Sequence, residues 1–85
     1  MKVIEYENYE SYLGKLIDVQ HPLDYEEFHD PRSKNIYADK LLLNPGLYLK
    51  KNETYYIMCR KGTLSRKVVR MLIFYGYDVV LVKNF

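Results

Sequence analysis

Short runs of β-branched and aliphatic residues alternate with helix-like segments along the second half of the chain. Thr54–Met58 and residues 79–82 are typical of buried strands, because they are short, apolar and rich in β-branched or aromatic residues. Between them, apolar residues recur at helical spacing over residues 64–75, and Gly76 stands where helices commonly end. A strand, a helix and a second strand in this order build parallel sheets, so the pattern predicts an α/β fold.

Shorter segments continue this alternation in the first half of the chain. Residues 16–19 predict a central strand, and Pro22 with the acids that follow it indicates the first turns of a helix. The other predicted elements are an edge strand at residues 3–4, helical turns at 7–13 and 40–43, and a strand at 35–37. Together they predict a small, mostly parallel sheet of about five strands, flanked by helices on both faces.

The length and charge of the chain limit its possible functions. Eighty-five residues predict a single domain, residues 1–85, with no room for a second core. A formal net charge of +2 is too small to indicate nucleic-acid binding. The longest apolar stretch, residues 71–75, is far shorter than the roughly 20 residues that span a bilayer, so no membrane role is expected. The acidic first ten residues do not resemble a signal peptide, so a cytoplasmic protein is expected.

The single cysteine, Cys59, lies between the strand at Thr54–Met58 and the long predicted helix. In open α/β sheets, ligands bind beyond the carboxyl ends of the strands, where loops lead into helix N-termini with free N–H groups. Those groups, the helix dipole and nearby cations would stabilise a thiolate, which is the nucleophilic form of cysteine. Gly62 permits the backbone angles that such a loop requires. The side chains that could attract or hold an anion here are Arg60, Lys61, Thr63, Ser65 and Arg66.

An inert Cys59 is equally consistent with the composition. Free cysteine is among the most buried residue types, and Gly62 would then be an ordinary turn residue. One cysteine forms no internal disulfide, and it lacks the second thiol that a disulfide oxidoreductase uses. From the residues alone, both a reactive and a structural cysteine remain open.

Two groups of residues match known sequence patterns. In the first half these are Asp18-Val19, Pro22, Asp24-Tyr25, His29 and Asn35-Ile36. In the second half they are the stretch Ile57-Met58-Cys59-Arg60-Lys61-Gly62-Thr63-Leu64-Ser65, then Val68-Val69, Leu72 and Gly76-Tyr77. Over residues 16–82 the chain therefore resembles the rhodanese-like domain family. The loop that contains Cys59, with its spacing to Gly76, is the most specific part of the match.

The resemblance implies a parallel sheet and a cysteine that carries sulfane sulfur as a persulfide. Cys59 would take this sulfur from a small anionic donor such as thiosulfate and pass it to cyanide, a thiol or a protein partner. No metal or organic cofactor is implied. The residues that would bind the substrate are Arg60, Lys61, Gly62, Thr63, Leu64 and Ser65, with Asp18 and Arg66 in supporting positions.

The chain departs from the family pattern at several positions. Gln20 stands where the family has Arg, which removes an ion pair that helps to seat the loop, and Phe28 stands where it has Gly before His29. Arg32-Ser33 replaces Gly-Ala, and Lys83-Asn84 replaces the Gly-Gly that follows the last strand. The usual C-terminal helix is expected to be missing.

Other functions fit these residues less well. A cysteine phosphatase needs Arg six residues after its cysteine, to clamp the oxyanion, and Ser65 stands there. No sequence signature links His21 or His29 to Ser65, as a serine hydrolase would need. The cluster His21, Asp24, Glu27, His29 and Asp30 matches no zinc spacing, and a solvated acidic turn is the better interpretation.

The main alternative to sulfur transfer is a non-catalytic, rhodanese-like interaction module that keeps the fold and uses its loop for recognition. Arg66, Lys67 and Arg70 on the long helix could form a docking surface for an acidic partner, although a solvated face is the simpler interpretation.

Overall fold

Five parallel strands form one sheet in the computed structural model, which describes residues 1–85. They are β1 (Lys2–Glu5), β2 (Lys15–Asp18), β3 (Ser33–Asn35), β4 (Thr54–Met58) and β5 (Asp78–Lys83). Their order across the sheet is β1-β5-β4-β2-β3, and every neighbouring pair is parallel. This confirms the predicted α/β fold with a small parallel sheet.

Helices connect the strands. Three are α-helices, α1 (Pro22–Glu27), α2 (Ala38–Leu43) and α3 (Thr63–Phe74), and three are short 3-10 helices at Tyr6–Asn8, Ser11–Leu13 and Pro45–Leu47. None of them has the length and apolar composition needed to cross a membrane. No helix follows β5, as expected from the sequence.

Side chains on the central strands point alternately into two hydrophobic clusters, one on each face of the sheet. In β4, Tyr55 and Ile57 belong to the larger cluster, which also contains buried residues of α2 and α3. Met58, on the opposite face, packs with Tyr9, Leu16 and Val82 in the smaller cluster. Because β4 is buried on both faces, its C-terminal end is held rigidly in place.

The edge strand β3 lies earlier in the chain than the sequence pattern predicts. The sequence pattern predicts a strand over residues 35–37, whereas the observed strand is Ser33–Asn35, which pairs with residues 16–18 of β2. The side chains of β3 are only partly buried or exposed, so the strand carries no apolar signal. The apolar Ile36 that suggested a strand is buried just beyond its end. The predicted helical turns at residues 7–13 are two 3-10 turns separated by Tyr9.

Asp30 and Arg32 form an ion pair that the sequence did not reveal. Arg32 Nε donates to Asp30 Oδ1 at 3.0 Å and Nη2 donates to Oδ2 at 2.8 Å, while the Tyr6 hydroxyl also donates to Oδ2. Arg32 also lies over the Tyr9 ring, 4.9 Å from its centroid. Asp30 is only 3% exposed, so its assignment to a solvated acidic turn was wrong. The hydrogen bonds from Arg32 hold the Asp30 pKa well below its usual range, although burial opposes this.

The Asp30–Arg32 ion pair should make the fold lose stability in acid. A carboxyl group with a lowered folded-state pKa stabilises the fold above its unfolded pKa, about 3.9, and the stabilisation disappears as the pH falls further. Asp30→Asn should lower the free energy of unfolding by about 1–3 kcal/mol at pH 7, since Arg32 and Tyr6 lose a charged acceptor. Urea unfolding between pH 3 and 7 should show this difference shrinking below about pH 4. A difference that does not change with pH would contradict the assignment.

Candidate functional site

Cys59 directly follows β4, and the loop after it leads into the N-terminus of α3. Gly62, the residue before α3, has φ +83°, a left-handed conformation that favours glycine. In the sheet, β4 lies between β2 and β5, so the loop stands at the centre of the carboxyl edge. This is where parallel α/β sheets bind their ligands.

Hydrogen-bond donors converge on the Cys59 sulfur. The backbone N–H of Gly62 donates to Sγ at 3.1 Å and that of Ser65 donates at 3.2 Å. The Ser65 hydroxyl oxygen lies 3.3 Å from Sγ, where it accepts from the thiol, and it donates to the Gly62 carbonyl at 3.1 Å. If the thiol ionises, this hydroxyl can turn and donate to the sulfur instead. The arrangement therefore places two backbone donors and one hydroxyl within hydrogen-bond distance of Sγ.

Two more N–H groups of the same turn have no acceptor in the protein. The first four N–H groups of a helix have no carbonyl partner within it. At the start of α3 these belong to Gly62, Thr63, Leu64 and Ser65, because the first helical bond runs from Arg66 N to the Gly62 carbonyl. Gly62 and Ser65 donate to Cys59, whereas Thr63 and Leu64 donate to no protein group. These two N–H groups remain available to an anion at the loop.

A pocket of about 320 Å³ opens over the loop, and its charges are all positive. Cys59 is only 4% exposed, and it lines this pocket. Four cationic side chains and no acid line the pocket, so it should attract small anions. The lining residues are Cys59, Arg60, Lys61, Gly62, Thr63, Arg66, Leu81, Val82, Lys83 and Asn84.

Most of the site residues predicted from the sequence meet at this pocket. Leu64 does not line it and packs against the larger hydrophobic cluster. Ser65 is fully buried beneath Cys59. Asp18 lies at the end of β2, level with Met58 of β4, and also stays outside the pocket lining. Residues 60–63 and Arg66 form the loop side of the pocket.

Comparison with known proteins agrees with this geometry. The family model for the rhodanese-like domain matches residues 5–84, nearly the whole chain. The protein belongs to the rhodanese-like family. No curated protein sequence matches the chain.

Solved structures show the same fold. A rhodanese-like domain protein from Staphylococcus aureus is 31% identical with a TM-score of 0.86, over 99% of this chain and 86% of the other. The protein SSP1007 from Staphylococcus saprophyticus is 28% identical with a TM-score of 0.84, over 99% and 88%. A rhodanese from E. coli, in a structure with anions, is 26% identical with a TM-score of 0.69, over 81% and 82%.

In this rhodanese-like domain, the groups that donate hydrogen bonds to the Asp18 carboxylate are neutral. Its Oδ1 accepts the backbone N–H of Gln20 at 2.9 Å, and its Oδ2 accepts from Gln20 Nε2 at 2.7 Å. Asp18 is fully buried, and burial raises its pKa above the usual value although these hydrogen bonds oppose the rise. Gln20, which stands where the family has Arg, thus replaces an ion pair with hydrogen bonds.

Two parts of the site were not predicted from the sequence. Phe28 stacks with Arg60, whose guanidinium carbon lies 4.6 Å from the ring centroid, and Phe28 also packs against Phe85. Lys83 and Asn84 form the far wall of the pocket. Phe28, Lys83 and Asn84 all stand at positions where the sequence departs from the family pattern, so those departures were the available signal.

The two histidines lie outside the pocket lining. The His29 ring stacks on Tyr25 with the centroids 4.0 Å apart, and the His21 ring contacts Tyr37 edge to face. His21 also accepts the backbone N–H of Leu23 at the start of α1. No group of three or more His, Cys, Asp or Glu side chains is arranged to hold a metal ion.

Substitution of Gly62 tests whether the loop depends on the left-handed backbone conformation of this residue. A Cβ added there would meet no atom within 4 Å, so any cost must come from the backbone angle and not from a clash. Gly62→Ala, which adds only this Cβ, should lower the free energy of unfolding by about 1–2 kcal/mol. Gly62→Asn is the matched control and should cost less, because Asn tolerates this region. Urea unfolding of both variants decides, and equal costs would contradict the explanation.

Proposed function

We propose that this protein is a sulfurtransferase or sulfur carrier that forms a persulfide on Cys59. It takes sulfane sulfur from an anionic donor such as thiosulfate and passes it to a thiol, cyanide or a protein acceptor. The observation that carries the proposal is the set of N–H groups around the Cys59 sulfur, at the base of a pocket lined by cations and no acid.

The loading step is a displacement at sulfur. The Cys59 thiolate attacks the outer sulfur of thiosulfate, a new S–S bond forms, and the S–S bond of the donor breaks. Sulfite leaves with the electron pair, and the total charge of −3 on thiolate and thiosulfate equals that on persulfide and sulfite. Arg60, Lys61, Arg66 and Lys83 line the pocket and would attract the dianionic donor.

The persulfide formed in this step needs donors for its outer, charged sulfur. Gly62 and Ser65 N–H already bond the Cys59 sulfur, and Thr63 and Leu64 N–H are free in the same turn. Backbone donors fixed before the reaction stabilise charge without reorganising. We therefore assign the free N–H groups of Thr63 and Leu64 to the outer sulfur.

The relatives support the same assignment to anion chemistry. The E. coli rhodanese, at 26% identity, was solved with anions. The cysteine loop of this chain keeps Cys59, Gly62 and Ser65 in the arrangement that an anion site needs.

Intact mass spectrometry tests the proposal directly. Wild-type protein incubated with thiosulfate should gain about 32 Da, the mass of one sulfur atom, and lose it again in a reducing wash. Because Cys59 is the only cysteine, the gain has one possible thiol position. The Cys59→Ser variant should gain nothing.

A second sulfur donor shows whether a negative result with thiosulfate reflects only the choice of donor. If neither thiosulfate nor a small-molecule persulfide adds sulfur to folded wild-type protein, sulfur transfer is excluded. The protein would then be a non-catalytic interaction module of the family.

Phe28 should affect donor binding more than chemistry, because it holds Arg60 at the pocket. A cation–π contact at an exposed position contributes about 0.5–1 kcal/mol, so Phe28→Leu should raise the KM for thiosulfate about two- to fivefold and leave kcat unchanged. Phe28→Tyr keeps the aromatic ring and should keep the wild-type KM. Steady-state transfer of sulfur to cyanide provides both constants. If leucine and tyrosine have the same effect, Phe28 does not act through its ring.

A further inference from the structure

Positive and negative side chains are concentrated in different parts of the chain, although the net charge is only +2. Residues 54–77 contain five Lys and Arg and no Asp or Glu, whereas eight of the eleven acids lie in the first 30 residues. The cysteine loop and all of α3 belong to the acid-free segment. The loop side of the pocket and α3 therefore carry only positive charges, whereas Glu5 accepts a hydrogen bond from Asn84 at the far wall.

The cations of this segment are exposed, and Arg60 alone among them has a partner, the Phe28 ring. Three of them, Arg66, Lys67 and Arg70, lie within two turns of α3, and we name them the α3 basic face. None takes part in a salt bridge, since the three salt bridges of the structure involve Lys2, Lys15 and Arg32. Arg66 lines the pocket, so the α3 basic face is continuous with the site of Cys59.

An apolar side chain extends the α3 basic face. Phe74 follows Arg70 by one helical turn and is 83% exposed, and Ile73 beside it is also exposed. Protein interfaces combine an aromatic or aliphatic anchor with a polar, charged rim. A small anion would use the charges alone. Nucleic-acid bases stack on aromatic rings, whereas the exposed pair of Phe74 and aliphatic Ile73 offers the mixed apolar contact of a protein interface. This combination favours a protein as the partner.

We propose that the α3 basic face docks an acidic protein whose thiol accepts the sulfur from Cys59. This inference rests on the proposed function, and it identifies the class of acceptor. Charge complementarity across the interface would steer the partner toward the pocket and raise the rate of productive encounter, with a strong dependence on salt.

The transfer step balances without a further reactant. The partner's thiolate attacks the outer sulfur of the Cys59 persulfide, and an S–S bond forms on the partner. The original S–S bond breaks, and its electron pair stays on Cys59 as a thiolate. The proton released by the partner's thiol goes to the charged outer sulfur of the persulfide, so atoms and charges balance and no oxidant or reductant is consumed.

Two peptide thiols test the α3 basic face without an identified partner. One carries a single Cys flanked by Glu residues, and the other has Gln in place of every Glu. Wild-type protein is first loaded with sulfur and freed of donor, and the rate of transfer to each peptide is then measured. The quantity of interest is the ratio of the acidic to the neutral rate, compared between protein variants, because this comparison cancels the different reactivities of the two thiols.

The test variant is Lys67→Gln with Arg70→Gln, since neither residue lines the pocket. At low salt its acidic-to-neutral ratio should be about tenfold lower than that of wild type, and about 0.5 M salt should remove most of the difference. The matched control is Lys34→Gln with Lys40→Gln, which removes the same charge at two exposed, unpaired positions elsewhere. Its ratio should equal that of wild type.

Several outcomes would overturn the inference. If wild type and the test variant have equal acidic-to-neutral ratios, the α3 basic face does not dock the peptide. If the control pair lowers the ratio as much as the test variant does, the effect comes from net charge alone. If the protein prefers a single-stranded oligonucleotide over the acidic peptide in a competition binding experiment, the α3 basic face binds nucleic acid instead.

A binding measurement separates this inference from the proposed function. Fluorescence anisotropy of the acidic peptide, with Ser in place of its Cys, needs no sulfur loading. If loading fails but the test variant weakens peptide binding and the control pair does not, the proposed chemistry is wrong and the docking face stands. If loading succeeds and peptide binding is unchanged in the test variant, the docking face is wrong and the chemistry stands.

Discussion

The candidate site depends on one interaction, the bonding of backbone N–H groups of the first turn of α3 to the Cys59 sulfur. A helix begins with four N–H groups that its own carbonyls cannot satisfy, and here two of them, from Gly62 and Ser65, donate to Sγ. The sulfur thus caps the helix, at a place where a helix N-terminus can bind an anion. The hydrogen bonds that hold the loop are therefore the same ones that would hold the anionic sulfur of the proposed function.

The parallel sheet determines which strand ends lie beside the cysteine loop. Because β4 lies between β2 and β5, the carboxyl ends of all three strands meet at one edge. Asp18 ends β2 beside the last residue of β4, and Lys83 ends β5 at the far wall of the pocket. Residues far apart in sequence are therefore brought to the loop by topology, with β4 fixed by burial on both faces.

This dependence on topology explains how much the sequence could predict. The strand at Thr54–Met58, the loop after it and the helix are local patterns, so their type and nearly their exact ends followed from residue spacing. The edge strand β3 was misplaced because its polar side chains carry no apolar signal. The hydrogen bond from Tyr6 to Asp30 and the stacking of Phe28 on Arg60 join residues that lie far apart in the sequence, so these contacts depend on the folded chain. No local pattern contains that information.

The departures from the family pattern together change where charge is placed around the site. At the base, Gln20 gives the buried carboxyl of Asp18 neutral hydrogen bonds, and burial raises the pKa of that carboxyl. At the mouth, Phe28 holds a guanidinium by its ring, and Lys83 adds a cation to the far wall. Interactions at a buried base are little screened by salt, whereas those at an open mouth are strongly screened. The hydrogen bonds of Asp18 should therefore be insensitive to ionic strength, while the proposed attraction of anions and acidic partners should weaken as the salt concentration rises.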